Sequence, residues 1–282
     1  MSVTKLNRSL AGVHELIGDF DGFIIDQFGV LHDGTQAYTG AIPALQQLLA
    51  SGKTIVILSN SGKRAHINID RMATLGFDRS TFSRFVTSGD VAFDTIQERI
   101  RREGQKRCLL IARDGDLSAV NGLDLQLTES PSTAELVIIS ASEADRFAEQ
   151  HYIDLLSDPA QRRVPCLCTN PDKLMLTPGG IRFGAGRIAE IYEQLGGTVQ
   201  WLGKPYTDVY NYAMQHFKHI EPGRIVCIGD SIEHDIAGGA NAGLATLFVR
   251  GGIHQNMNKQ QLNELMLKHN AVPDFQMAEF CW

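Results

Sequence analysis

Residues 23–34 read FIIDQFGVLHDG, from Phe23 to Gly34. Phe23, Ile24 and Ile25 form a short apolar run of the kind that makes a buried strand. The run ends abruptly at an acid, Asp26, and Gly29 and Gly34 come soon after. A carboxylate at the carboxyl end of a parallel strand lies where open α/β sheets bind their ligands. There it can act as a nucleophile or hold a metal. Asp and Gly are also common turn residues, so a strand-ending turn is the competing reading. Residues further along the chain decide between the two.

Short β-rich runs recur: FIID, TIVILSN, FVTS, CLLIA, LVIIS, CLCT, TVQWLG, IVCIGD and ATLFV. Helix-like stretches lie between most of them, among them Ile42 to Ala50, Arg64 to Leu75 and Asp208 to His216. This alternation implies βαβ units, and so an α/β fold with a doubly wound, Rossmann-like parallel sheet. Asp26 and Asp230 end two of the strands but lie far apart in sequence, and such a sheet brings them to one edge. Residues 89–197 carry strands and helices of their own and read as an inserted second α/β domain. Residues 1–88 and 198–282 then form the core domain.

At 282 residues, 43% hydrophobic and 21% charged, the chain has the composition of a soluble globular protein. A formal charge of −6 gives no reason to expect nucleic acid or an anionic membrane as partner. The opening MSVTKLNRSL lacks the apolar core of a signal peptide, and no later run is long enough to span a membrane. Of the five cysteines, all but Cys281 sit in apolar, strand-like stretches. Cys166 and Cys168 alone cannot complete a zinc site. Buried free thiols in a reducing cytoplasm are the expectation.

The remaining chemistry falls at strand ends. Ser59, Asn60 and Ser61 follow TIVIL, and hydroxyl and N–H groups at a strand-to-helix turn suit a phosphate, though Ser and Asn also cap helices well. Lys204 follows TVQWLG, where its ammonium can neutralise a carboxylate or phosphoryl oxygen. Asp230 and Asp235 frame GDSIEHD after IVCIG, and clustered carboxylates at a strand end suit Mg²⁺. Any one of these is weak; all four in order are strong.

Together they resemble the motifs of the haloacid dehalogenase (HAD) superfamily, specifically its class IIA phosphatases with an α/β cap. The resemblance runs from about Gly22 to Phe248. It implies that Asp26 is the nucleophile, Ser59 the phosphate-binding hydroxyl, and Lys204 the family's lysine. It further implies Mg²⁺ held by Asp26, the Phe28 carbonyl and Asp230, with Asp235 in support. Within the insert, TNPD (Thr169 to Asp172) and then GAG (Gly184 to Gly186) resemble the cap loop and its hinge-side glycine motif. Asn170 and Asp172 are then the expected substrate contacts. The implied partner is a small phosphorylated metabolite, with neither nucleic acid nor membrane; the oligomeric state is open, a homodimer included. DFDG (Asp19 to Gly22) imitates the family's first motif, but no strand leads into it.

One departure matters. Family phosphatases carry a second Asp two residues after the nucleophile, as general acid and base, and here that position is Phe28. General acid–base catalysis is typically worth ~10²–10⁴-fold, so its loss weighs most on poor leaving groups. His32, Asp33 and His254 are the candidates to replace it. An aromatic also stands there in the superfamily's dehalogenases, which makes a metal-independent haloacid dehalogenase one alternative. A catalytically weakened binder of phosphorylated metabolites is the other.

Overall fold

The computed structural model describes residues 8–177, 179–252 and 257–282. The chain divides into two compact units. The first comprises Met1–Ser59, His66–Val86 and Lys204–Trp282. Its sheet uses β1 (Arg8–Ser9), β2 (Gly22–Ile25), β3 (Thr54–Ser59), β4 (Arg84–Thr87), β12 (Ile225–Gly229), β13 (Ala245–Val249) and β14 (Phe275–Met277). Their order is β1-β14-β13-β12-β2-β3-β4. From β2 the chain winds outward through β3 and β4, and the last strands wind outward on the other side. The reversal lies between β2 and β12, where a doubly wound sheet opens its ligand crevice.

β2 is buried along its whole length, as its apolar run requires. Complete burial of Phe23, Ile24 and Ile25 stabilises the fold by about 1.5–3 kcal/mol per side chain. Helix α1 (Ala41–Ala50) buries Ala41, Ala44, Leu45 and Leu48, the i, i+3, i+4, i+7 stripe of an amphipathic helix. Just beyond its C-cap Ser51, Gly52 takes φ +72°, the left-handed conformation that glycine adopts freely. DFDG leads into β2, with Gly22 as the strand's first residue, rather than following it. Asp21 there pairs with Lys53 and Arg224 at the amino end of the sheet.

The second unit comprises Asn60–Ala65 and Thr87–Gly203. It holds β5 (Lys106–Ile111), β6 (Leu125–Leu127), β7 (Leu136–Ile139), β8 (Cys166–Cys168) and β11 (Val199–Trp201), ordered β11-β8-β7-β5-β6. All four pairings of this sheet are parallel. A separate antiparallel hairpin joins β9 (Leu174–Thr177) and β10 (Gly180–Phe183). The unit's own core packs Val137, Ile139, Tyr152, Leu156, Ile188 and Tyr192.

Both edges of this unit lie outside the expected 89–197. Val199–Trp201 pairs with Cys166–Cys168, so the chain stays in the second sheet as far as Trp201 and in the second unit as far as Gly203. Asn60 and Ser61 also belong to this unit, Asn60 through its bonds to Asp172 and Ser88. All five cysteines are free thiols, and four are buried. Among the described residues, no helix is long and apolar enough to cross a membrane.

Candidate active site

Strand register assembles the site. β2 pairs in parallel with β12 through Ile25 and Ile228, and with β3 through Ile25 and Ile57. Asp26 therefore lies level with Gly229 and Leu58, one residue short of Asp230 and Ser59. The Asp26 N–H donates to the Ile228 carbonyl at 2.9 Å, which continues the ladder past β2 and fixes where the carboxylate leaves the sheet.

Lys204 lies between two acids. Its Nζ is 2.6 Å from Asp26 Oδ1 and 2.7 Å from Asp235 Oδ1, and all three side chains are buried. Asp235 reaches this point on a π-helical turn, Ile232–Ala237. Such turns are rare and recur at functional sites. The second oxygen of Asp235 accepts the Ser231 N–H at 3.1 Å. Glycines allow the close approach. A Cβ at Gly229 would fall 1.9 Å from Asp235 Cγ. One at Gly252 or Gly29 would fall 1.8 or 2.2 Å from Asp230 Oδ2, and Gly29 also holds φ +86°. No other residue type fits this cradle.

Burial pushes the Asp26 carboxyl up to about 7; the Lys204 charge opposes the rise and the Asp235 charge adds to it. Burial alone would lower the Lys204 ammonium, but the charges of Asp235 and Asp26 outweigh it and hold it above its ordinary range. Lys204 is therefore a fixed cation. Asp26, Asp230 and Asp235 offer oxygens that all lie within 4.8 Å of one another. Three carboxylates exceed what one ammonium can neutralise, and an all-oxygen donor set suits a hard divalent cation. A cation there would draw Asp26 into its anionic form.

Ser59 is buried at the end of β3 and accepts a 2.6 Å hydrogen bond from Gln27 Nε2. Gln27 is a site residue that the sequence did not reveal. It follows Asp26, is buried, and also reaches Asn68 Oδ1 at 3.4 Å. Only the β2–β3 pairing brings it to Ser59, so no local pattern could have found it. In the second unit, Asn60 Nδ2 donates to Asp172 Oδ1 at 2.9 Å. Asn170 Oδ1 accepts the Asp172 N–H at 3.1 Å, which shapes the loop that carries both. The Ser61 hydroxyl accepts the Lys63 N–H at 3.2 Å.

Phe28 is 38% exposed and packs edge-on against His32, with ring centroids 5.7 Å apart. His32 is buried; its Nδ1 accepts the Gly34 N–H at 3.0 Å, and its Nε2 has no partner. Burial, helped by the Arg71 charge, lowers the imidazole to about 4, so it is neutral at pH 7. Asp33 accepts the Thr35 hydroxyl and the N–H groups of Thr35 and Gln36, which hold its carboxyl down at about 2. Neither group is a proton donor near neutral pH. His254 lies outside the described residues.

The state of His32 has a consequence for stability. An unfolded imidazole titrates near 6.5, so the unfolded chain takes up the proton first as pH falls toward 4, and the fold loses stability through that window. From pH 7 to pH 5 the expected loss from this group is about 2 kcal/mol. Denaturant titrations of wild type and His32→Asn at both pH values check this. The variant should lose less by that amount, and identical pH dependence would contradict it.

The haloacid dehalogenase-like hydrolase family model matches residues 23–126, and a HAD-hydrolase-like model matches residues 201–276. Chronophin of Bos taurus is 26% identical over 280 residues, covering 94% of this chain and 92% of the relative. Glycerol-3-phosphate phosphatase of Homo sapiens is 28% identical over 287 residues, covering 92% of this chain and 88% of the relative. A haloacid dehalogenase-like hydrolase structure from Brucella suis 1330 superposes with TM-score 0.82 at 28% identity, covering 95% of this chain and 98% of that one. Strand-end carboxylates, the buried lysine between them and the second α/β unit thus accompany family matches that run from the first unit into the second from either end. The chain belongs to the haloacid dehalogenase superfamily, among its class IIA phosphatases.

Proposed function

We propose that the protein is a Mg²⁺-dependent phosphatase of a small phosphorylated metabolite, working through an aspartyl-phosphate on Asp26. The buried bridge from Asp26 through Lys204 to Asp235, with Asp230 beside it, carries this reading. An Asp26 oxygen attacks phosphorus, and the bond from phosphorus to the leaving oxygen breaks, that oxygen keeping the electron pair. Water then attacks the same phosphorus and loses its proton to solvent. The bond to Asp26 breaks and orthophosphate leaves. Asp26, Asp230 and the Phe28 carbonyl would hold Mg²⁺, with Asp235 in support, and the ion would supply positive charge facing the phosphoryl oxygens. Lys204 orients the nucleophile and contributes a fixed positive charge. Ser59, Asn60 and Ser61 position the phosphoryl group, and the loop of Asn170 and Asp172 contacts the rest of the substrate.

Phe28 stands where the family's phosphatases carry their general acid, so leaving-group protonation is the weak point of this catalyst. The name of the glycerol-3-phosphate phosphatase relative supports a small metabolite as substrate. Five free thiols support a reducing, cytoplasmic setting.

Metal removal tests the reading. EDTA should abolish hydrolysis of an aryl phosphate and Mg²⁺ should restore it. Asp230→Asn should lower both Mg²⁺ affinity and turnover by more than about a hundredfold. Release of halide from a 2-haloacid without metal would instead favour the dehalogenase chemistry that an aromatic at residue 28 also fits.

A further inference from the structure

Gln27 is buried within the first unit, and two polar side chains reach it from other elements. Its Nε2 donates to Ser59 Oγ, at the end of β3, at 2.6 Å. The same nitrogen reaches Asn68 Oδ1, on helix Ala65–Thr74, at 3.4 Å. The main chain is held as well: the Gln27 carbonyl accepts the N–H groups of Leu31 and His32 at 2.9 and 3.2 Å. With backbone and amide both tied down, little rotamer freedom remains to be lost when Ser59 engages a ligand. Packing alone does not call for this residue. Burying a carboxamide is costly unless it is hydrogen-bonded, and a methionine would fill similar space without that cost.

The direction of the bond to Ser59 decides what that hydroxyl can do. An amide nitrogen only donates, so Ser59 Oγ accepts here and its own O–H is turned to a different acceptor. Asn68 favours this sense. With the Asn68 oxygen facing it, a reversed Gln27 amide would set acceptor against acceptor. The oxygens of a phosphoryl dianion accept and do not donate. A serine that gave its hydrogen to Gln27 would present such an anion with lone pairs alone. A serine that accepts from Gln27 keeps its hydrogen for the anion.

We propose that Gln27 is a positioning residue that holds Ser59 as a hydrogen-bond donor to the phosphoryl group, acting on the ligand only through Ser59. The proposal rests on the phosphatase reading above, in which Ser59 meets the phosphoryl group. It concerns phosphoryl binding and is separate from the leaving-group chemistry at Phe28.

A double-mutant cycle tests it, with inorganic phosphate as the probe and calorimetry on Mg²⁺-loaded protein as the readout. Gln27→Met keeps the length of the side chain and removes the donor. With Ser59 in place it should weaken phosphate binding about three- to tenfold, the range of one hydrogen bond. In a Ser59→Ala background the same change should cost less than about twofold. Gln27→Glu reads the polarity, because a carboxylate accepts from Ser59 and takes the hydrogen away from the anion. Its cost should be at least about threefold larger with Ser59 in place than in the Ser59→Ala background. A Gln27→Met effect that is absent, or an effect of either change that is equal in both backgrounds, overturns the proposal. A merely structural Gln27 would lower the melting temperature and leave no such coupling. If Gln27→Met does not fold, the Gln27→Glu cycle decides alone. Turnover of an aryl phosphate by the wild type separates the two failures. Coupling without turnover upholds the role of Gln27 and sinks the phosphatase reading; turnover without coupling does the reverse.

Discussion

Asp26→Asn should abolish phosphate-ester hydrolysis, lowering kcat by about 10⁴–10⁶-fold, the range seen when a covalent nucleophile is removed. An amide cannot form the acyl phosphate, yet it keeps the shape of the carboxylate, and its oxygen still accepts from Lys204. The fold should survive and gain stability in metal-free protein. Burial already disfavours the charged Asp26 carboxylate, and a neutral side chain escapes that cost. Turnover of p-nitrophenyl phosphate and a melting curve, run side by side, check both halves. Activity within tenfold of wild type would remove Asp26 from the nucleophile's role. Loss of activity with a collapsed melting transition would make its role structural.

A steep dependence on leaving-group pKa is the second large effect expected. Without a general acid, alkyl phosphates forgo ~10²–10⁴-fold, about 3–5 kcal/mol, that a proton donor would supply. His32 is neutral and buried under Phe28, and Asp33 is held anionic by its turn, so neither fills the gap. Aryl and acyl phosphates should therefore be cleaved far faster than sugar phosphates. Loss of the same group as base should slow hydrolysis of the phosphoenzyme and give a burst of released phenol. Phe28→Asp should recover alkyl phosphate turnover by up to about 10²-fold. The site is open enough for this, because Phe28 is 38% exposed and a carboxylate there stays hydrated. A rate series over esters of graded pKa, on wild type and variant, decides it. A flat series in wild type would mean that another group already donates the proton.

Asp26 and Asp230 were legible in the sequence because each ends a fully apolar run, a signal confined to a few adjacent residues. The doubly wound sheet followed from the alternation of such runs with amphipathic stretches, and the observed order of β12, β2 and β3 bears it out. Features that depend on register between distant segments stayed hidden. Gln27 meets Ser59 only because β2 lies beside β3. Gly252 cradles Asp230 although it belongs to another stretch of chain. TVQWLG reads as a strand whichever sheet it joins, so pairing alone assigns Val199–Trp201 to the second unit. The hairpin of Leu174–Thr177 and Gly180–Phe183 escaped notice because its second strand, GIRF, is mostly exposed and carries no apolar run. His32 and Asp33 looked like proton donors as residue types, and burial and turn hydrogen bonds remove that capacity.

Rapid acid quenching of the Mg²⁺-loaded enzyme during turnover of an aryl phosphate, followed by peptide mass spectrometry, tests the chemistry at its centre. A phosphoryl group should appear on the peptide containing Asp26 within the burst and decay once substrate is exhausted. Full release of phosphate with that peptide unmodified at every time point would contradict the aspartyl-phosphate mechanism.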